Sequence, residues 1–185
     1  MLFRSNTGRS PTAGFEGVGL YLHGFNPQEE TSGLPLLMHV FNNTLLNSSD
    51  PNSAPGARGA IYFAYTGTLD MRNNIIYQPN GLPYVASGST TTPTAGDGQS
   101  SKNLWFGSGA APGFDSSPVT TNPRILSSTA PYNLHLQASS PAIGAGVATA
   151  SFAPRDFDGI PRPASAASDI GAYQFTAIGG SREDR

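Results

Sequence analysis

Leu37-Met38-His39-Val40-Phe41-Asn42-Asn43-Thr44-Leu45 returns as Thr68-Leu69-Asp70-Met71-Arg72-Asn73-Asn74-Ile75-Ile76, and its end returns again as Lys102-Asn103-Leu104-Trp105. Aligned on Asn43, Asn74 and Asn103, the steps are 31 and 29 residues. A fainter copy, Arg4-Ser5-Asn6-Thr7, precedes Asn43 by 37 residues. Self-similarity at such a period predicts a solenoid, in which each repeat packs only on its neighbours. Side chains alternate across a strand, so Met38, Val40 and Asn42 share a face with Leu69, Met71 and Asn73. That set is mostly apolar and is expected to point inward. His39, Phe41, Asp70 and Arg72 then point outward. Stacked in register, His39 would meet Asp70 and Phe41 would meet Arg72 about 4.8 Å away. Arg4 and Ser101 would lengthen the second row.

Asn43, Asn74 and Asn103 are expected to form a structural ladder. Stacked amides bond along the stacking axis and pair polar groups that would otherwise be buried alone. Asparagine also tolerates the left-handed backbone of a sharp corner. A second strand family reads as Gly17-Val18-Gly19-Leu20-Tyr21-Leu22-His23-Gly24 and Gly59-Ala60-Ile61-Tyr62-Phe63-Ala64-Tyr65-Thr66. It is apolar at almost every position, so its inward parity stays open. Gly81-Leu82-Pro83-Tyr84-Val85-Ala86-Ser87 reads as a third, shorter member. Loops are expected at 27–33, 48–56 and 87–100.

Composition agrees with an all-β chain of short strands and tight corners: 185 residues carry 22 Gly and 16 Pro, and only 12% are charged. A net charge of −2 and a single lysine, Lys102, argue against nucleic acid as a partner, because phosphate recognition needs clustered cations. No apolar run approaches the roughly 20 residues that span a bilayer. Cysteine is absent, so disulfides and thiolate metal sites are excluded. The first residues, Met1-Leu2-Phe3-Arg4-Ser5, lack the apolar stretch of a signal peptide and run straight into repeat-like sequence. The chain is therefore expected to be a carboxy-terminal piece of a longer protein, acting as a monomer.

From about Ser117 the texture changes. Asn133-Leu134-His135-Leu136, Ser140-Pro141-Ala142-Ile143-Gly144-Ala145-Gly146, Asp156-Phe157-Asp158-Gly159-Ile160-Pro161-Arg162 and Asp169-Ile170-Gly171-Ala172-Tyr173 follow in order. This ending resembles the carboxy-terminal segment of bacterial right-handed parallel β-helix proteins of the choice-of-anchor Q type, within the pectate-lyase-like superfamily. The Asn-Asn repeats upstream fit the same group. Two positions depart from its pattern: Gly144 stands where the consensus has Asp, and Gln174 where it has Glu. The resemblance implies a right-handed parallel β-helix of about four coils over residues 1–116. A terminal strand and cap would span 117–178, and a disordered tail 179–185. It also implies a secreted or cell-surface location and relatives directed at polysaccharide.

Three groups of residues are candidates for chemistry. His39, Asp70 and Arg72 are the catalytic candidates. Elimination at a uronate needs a cation or metal for the sugar carboxylate and a base for the C5 proton. Arg72 could be cation or base, with His39 or Asp70 assisting; opposed charges on an exposed strand also simply stabilise a sheet. Arg4, Phe41, Tyr77 and Trp105 are candidates for contact with substrate, the aromatic ones through flat faces that suit pyranose rings. Asp156, Asp158 and Asp169 are the weakest group, a calcium site by chemistry. Against that, Asp158 would make an Asx turn before Gly159 and Arg162 would pair with Asp169, so no cofactor is expected beyond that one calcium candidate. His23 and His135 read as ordinary strand residues. The leading expectation is a polysaccharide-binding or accessory protein. The alternatives are a polysaccharide lyase or glycoside hydrolase acting on acidic polysaccharide, and a purely structural surface stalk.

Overall fold

The computed structural model describes residues 18–23, 37–47, 56, 58–64, 68–89 and 100–176. Arg4, Asn6 and the 179–185 tail lie outside these residues, as do most of the three expected loops. Within them the chain is all-β, with no α-helix and no helix long and apolar enough to cross a membrane. The strands are β1 (Val18–His23), β2 (Leu37–Phe41), β3 (Thr44–Leu46), β4 (Gly59–Ala64), β5 (Thr68–Arg72), β6 (Ile75–Tyr77), β7 (Leu104–Phe106), β8 (Ile125–Ser127) and β9 (Asn133–Leu136).

Pairing follows the repeat. β1 lies parallel to β4, β2 parallel to β5, and β3, β6 and β7 form one parallel sheet in that order. Isolated parallel bridges extend these ladders from Ile61 to Val85, from Arg72 to Ser101 and from Leu104 to Val119. His39 stands beside Asp70, and Phe41 beside Arg72, in the register that alternation predicts. β8 and β9 pair antiparallel, and an isolated antiparallel bridge joins Arg155 to Pro161.

The corner between β2 and β3 is the pair Asn42 and Asn43, turned by one left-handed residue. Asn42 takes φ 53°, and its counterparts Asn73 and Lys102 take 55° and 57°. This left-handed region is costly for most side chains and least so for asparagine and aspartate. The turn also breaks the alternation. Asn43, Asn74 and Asn103 point into the stack, while Asn42 and Asn73, expected to point inward, instead face the carboxy-terminal segment.

Inside the stack, Leu45, Ile76 and Trp105 lie in one column and join Val40, Leu69, Met71, Ile61 and Phe63 in the main core. Both faces of β4 are covered: Ala60, Ile61, Tyr62 and Phe63 are all buried. Such strands read as continuous apolar runs, so parity could not be read from β4. Residues 111–119 close the last repeat. Phe114 meets Trp105 and Phe63 edge-on, the Val119 carbonyl accepts the Trp105 N–H (2.8 Å), and the Ser100 carbonyl accepts the Ser116 N–H (3.0 Å).

The carboxy-terminal segment packs along the flank of the stack. Leu46, Ile75 and Leu104, on the other face of the β3–β6–β7 sheet, form a second core with Ile125, Leu134, Leu136, Ala142, Ile170 and Tyr173. Each such side chain contributes about 1.5–3 kcal/mol when buried, so apolar contact dominates this docking. The Asn corners add direction. The Asn42 amide donates to the Asp169 carbonyl (3.2 Å) and accepts the Thr149 hydroxyl (2.6 Å). Asn73 donates to the Val147 carbonyl (2.7 Å) and accepts the Val147 N–H (2.9 Å). At Gly171 (φ 103°) a Cβ would stand 2.6 Å from Ile75 Cδ1, so only glycine lets this backbone lie flat on the sheet.

Tyr84 supplies a pH handle on the main core. It is buried edge-on to Trp105 (5.3 Å), and its hydroxyl accepts the Ser108 N–H (3.0 Å). Burial raises the phenol above its ordinary value near 10, and the Ser108 amide offsets part of that rise. A raised acid binds its proton more tightly when folded. Its stabilisation is complete below about pH 10 and is lost as pH climbs through the raised value. The denaturant midpoint is expected to fall above about pH 10, and less steeply in Tyr84→Phe. Identical alkaline profiles for the two proteins would exclude Tyr84 as the cause.

Candidate functional site

The outward row of β2 and β5 is brought together by the parallel register. Asp70 sits at its centre, 6% exposed. Its Oδ1 accepts Arg72 Nε at 2.5 Å and its Oδ2 accepts Arg72 Nη2 at 3.1 Å, a two-pronged ion pair within one strand. His39 Nδ1 approaches the same Oδ2 at 3.3 Å from the neighbouring strand. His39, Asp70 and Arg72, expected as one outward row, therefore meet at the Asp70 carboxylate. The Arg72 guanidinium also lies over the Phe41 ring, 5.8 Å from its centre.

An aromatic surface borders this unit. Phe152 from the carboxy-terminal segment stands 4.6 Å from the His39 ring and 5.3 Å edge-on from Phe41, while remaining 62% exposed. Phe152 had no signal in the sequence, because its nearness to β2 depends on the flank docking. The combined face offers two half-open rings and an imidazole beside a neutralised ion pair.

The other candidates separate. Trp105 is 1% exposed, and its indole N–H donates to Asp115 Oδ2 (2.8 Å). Its ring belongs to the core, so the expectation that it stacks on a sugar is corrected. Tyr77, half-buried on β6, packs against Phe106 (5.6 Å) at a polar cleft away from the His39 row.

Two acids of the carboxy-terminal segment, Asp156 and Asp169, are occupied by backbone donors. Asp156 Oδ1 accepts the N–H groups of Asp158 (2.9 Å) and Ile160 (2.7 Å), and its Oδ2 accepts that of Gln174 (2.7 Å). The Asx turn is thus made by Asp156 and not by Asp158. Asp158 instead meets His135 Nε2 at 2.7 Å, which makes His135 a clasp between β9 and the turn. Asp169 accepts the N–H groups of Gly144 (2.7 Å) and Phe175. Arg162, 5% exposed, donates to Gln174 Oε1 (2.6 Å) and the Gly171 carbonyl (3.0 Å), and makes no direct bond to Asp169. Burial lowers its pKa, and the charges of Asp156 and Asp169 partly restore it. Among the described residues no three His, Asp or Glu side chains converge as metal ligands. Asp156 and Asp169 staple backbone N–H groups, and Asp158 holds His135.

Asn43, Asn74 and Asn103 form a ladder of stacked amides. Asn74 Oδ1 accepts both the Asn43 N–H and the Asn43 amide (2.9 Å each), and Asn103 Oδ1 accepts the Asn74 N–H (3.0 Å) and amide (2.7 Å). Asp115 receives the last rung. No protein-family model matches the chain, and no curated protein matches it.

Proposed function

We propose that the chain is part of a right-handed parallel β-helix of about four coils, secreted or held at a cell surface, that binds polysaccharide or assists its processing without cleaving it. Parallel ladders stepping by 31 and 29 residues along an unbroken amide stack support the β-helix part. The observation that carries the non-catalytic part is the Asp70–Arg72 pair. β-Elimination needs a cation facing the sugar carboxylate and a base facing its C5 proton. Here the two charges of the row engage each other, and the rings of His39, Phe41 and Phe152 form the accessible surface beside them. Exposed aromatic faces next to a compensated ion pair suit stacking on sugar rings.

Binding of the full chain to a panel of immobilised neutral and acidic polysaccharides tests this reading. Retention by at least one polymer is expected, reduced about tenfold or more in the Phe41→Ala, Phe152→Ala double variant, since aromatic contacts of this type contribute about 1 kcal/mol or more each. Release of unsaturated or reducing ends would favour the lyase or hydrolase reading. Neither binding nor turnover would favour a structural stalk.

A further inference from the structure

A second polar site lies on the opposite side of the corner from the His39 row. Tyr77 of β6, with Asn122, Arg124, Ile125, Ser128 and Gln137 around the β8–β9 hairpin, lines an open cleft of about 340 Å³. Small-ligand sites run from about 300 to 1,000 Å³, so this one fits a single ring. Its lining contains one guanidinium and no carboxylate. Arg124 is exposed and has no acidic partner among the described residues.

The orientation of the amides is fixed by the backbone. Asn122 Oδ1 accepts the Arg124 N–H (2.8 Å), which leaves its NH2 group for a ligand. Gln137 Nε2 donates to the Ile125 carbonyl (2.9 Å), which leaves its Oε1 as an acceptor. The hydroxyls of Tyr77 and Ser128 make no hydrogen bond within the described residues. Donors outnumber acceptors, and a single positive charge stands among them. Arg124 holds a left-handed backbone (φ 48°), a strained conformation for a side chain of its size.

We propose that this cleft binds a monoanionic sugar, a hydroxylated ring carrying one carboxylate or one sulfate ester. Arg124 takes the charged group through its planar fork. The Asn122 NH2 and the Tyr77 and Ser128 hydroxyls donate to ring oxygens, and Gln137 Oε1 accepts a ring hydroxyl. One guanidinium matches one negative charge, which disfavours a phosphate dianion. The site shares no residue with the His39, Phe41 and Phe152 surface, so it stands or falls separately from the reading above.

Titration of the isotope-labelled full chain with glucuronate, glucose 6-sulfate, glucose and inorganic sulfate, followed by NMR, tests the proposal. Both charged sugars are expected to shift the side-chain amide signals of Asn122 and Gln137, and to bind roughly tenfold or more tightly than glucose. The tighter of the two identifies the charged group. Arg124→Asn, which suits the left-handed backbone, should reduce their affinity to that of glucose, and Arg124→Gln provides the same test with a longer side chain. Tyr77→Phe should weaken binding several-fold while keeping the ring. Equal binding of glucose, inorganic sulfate binding as tightly as the sugars, or no shift of these amides in the wild-type chain would each overturn it.

Discussion

Asn74→Ala is expected to cost about 4 kcal/mol of folding stability, a large part of the 5–15 kcal/mol that typically holds a domain of this kind. Asn74 is fully buried. Its amide NH2 donates to the Val40 carbonyl (2.7 Å), the Arg72 carbonyl (3.0 Å) and Asn103 Oδ1 (2.7 Å), and its Oδ1 accepts two donors from Asn43. Alanine removes two N–H donors shared among three acceptors, together with an acceptor of two donors, and leaves buried partners from two neighbouring repeats without replacements. Each bond contributes about 1 kcal/mol net, and an orphaned group costs about 1–3 kcal/mol. Asn74→Asp should be as damaging, because it sets a carboxylate oxygen against the Val40 and Arg72 carbonyls. Thr68→Ala, at an exposed position of β5 in the same repeat, should stay within about 0.5 kcal/mol. Urea unfolding monitored by circular dichroism reads all three. A loss below about 1 kcal/mol for Asn74→Ala would mean that the amide stack is decoration.

The same residue shows what a sequence of this type discloses. The register of β2 on β5 was legible because two independent signals agreed, the alternation of apolar side chains and the recurrence of Asn-Asn. His39 beside Asp70 and Phe41 beside Arg72 followed directly. What the alternation could not carry was its own interruption. One left-handed residue turns the chain at each corner, so Asn42 and Asn73 hold the carboxy-terminal segment while Asn43 and Asn74 hold the stack. Trp105 was misplaced for a related reason. It follows a repeated asparagine, and only the direction of the corner decides whether that position looks in or out. The polar cleft at Tyr77 was invisible, since its partners lie roughly 45–60 residues further along and are joined by docking, not by period. Phe152 reaches His39 in the same way.

The end of the ladder gives the second large expectation. Asn43 donates to Asn74 and Asn74 to Asn103, so the last asparagine of the stack needs an acceptor for its own donors. Asp115 meets that need. Its Oδ2 accepts the Asn103 N–H (3.2 Å), the Asn103 amide (3.0 Å) and the Trp105 indole N–H (2.8 Å), and its Oδ1 accepts the Ser117 N–H (3.1 Å). An ionised carboxylate only accepts, so all four donors find an acceptor, three of them sharing Oδ2. It lies 12 residues beyond Asn103, off the 29–31 period, which hid it among loop residues. Asp115→Ala is expected to cost about 3 kcal/mol, because three buried donors lose a charged acceptor together. Asp115→Asn should cost about 1 kcal/mol: its carbonyl can still take the ladder, but its NH2 then faces the Ser117 N–H. Trp105 provides a local readout, since freeing its indole N–H beside the closing residues 111–119 should admit water and shift its emission to longer wavelength in the alanine variant alone. Equal losses for the two variants, or an unchanged Trp105 emission in Asp115→Ala, would show that the stack ends without needing a carboxylate.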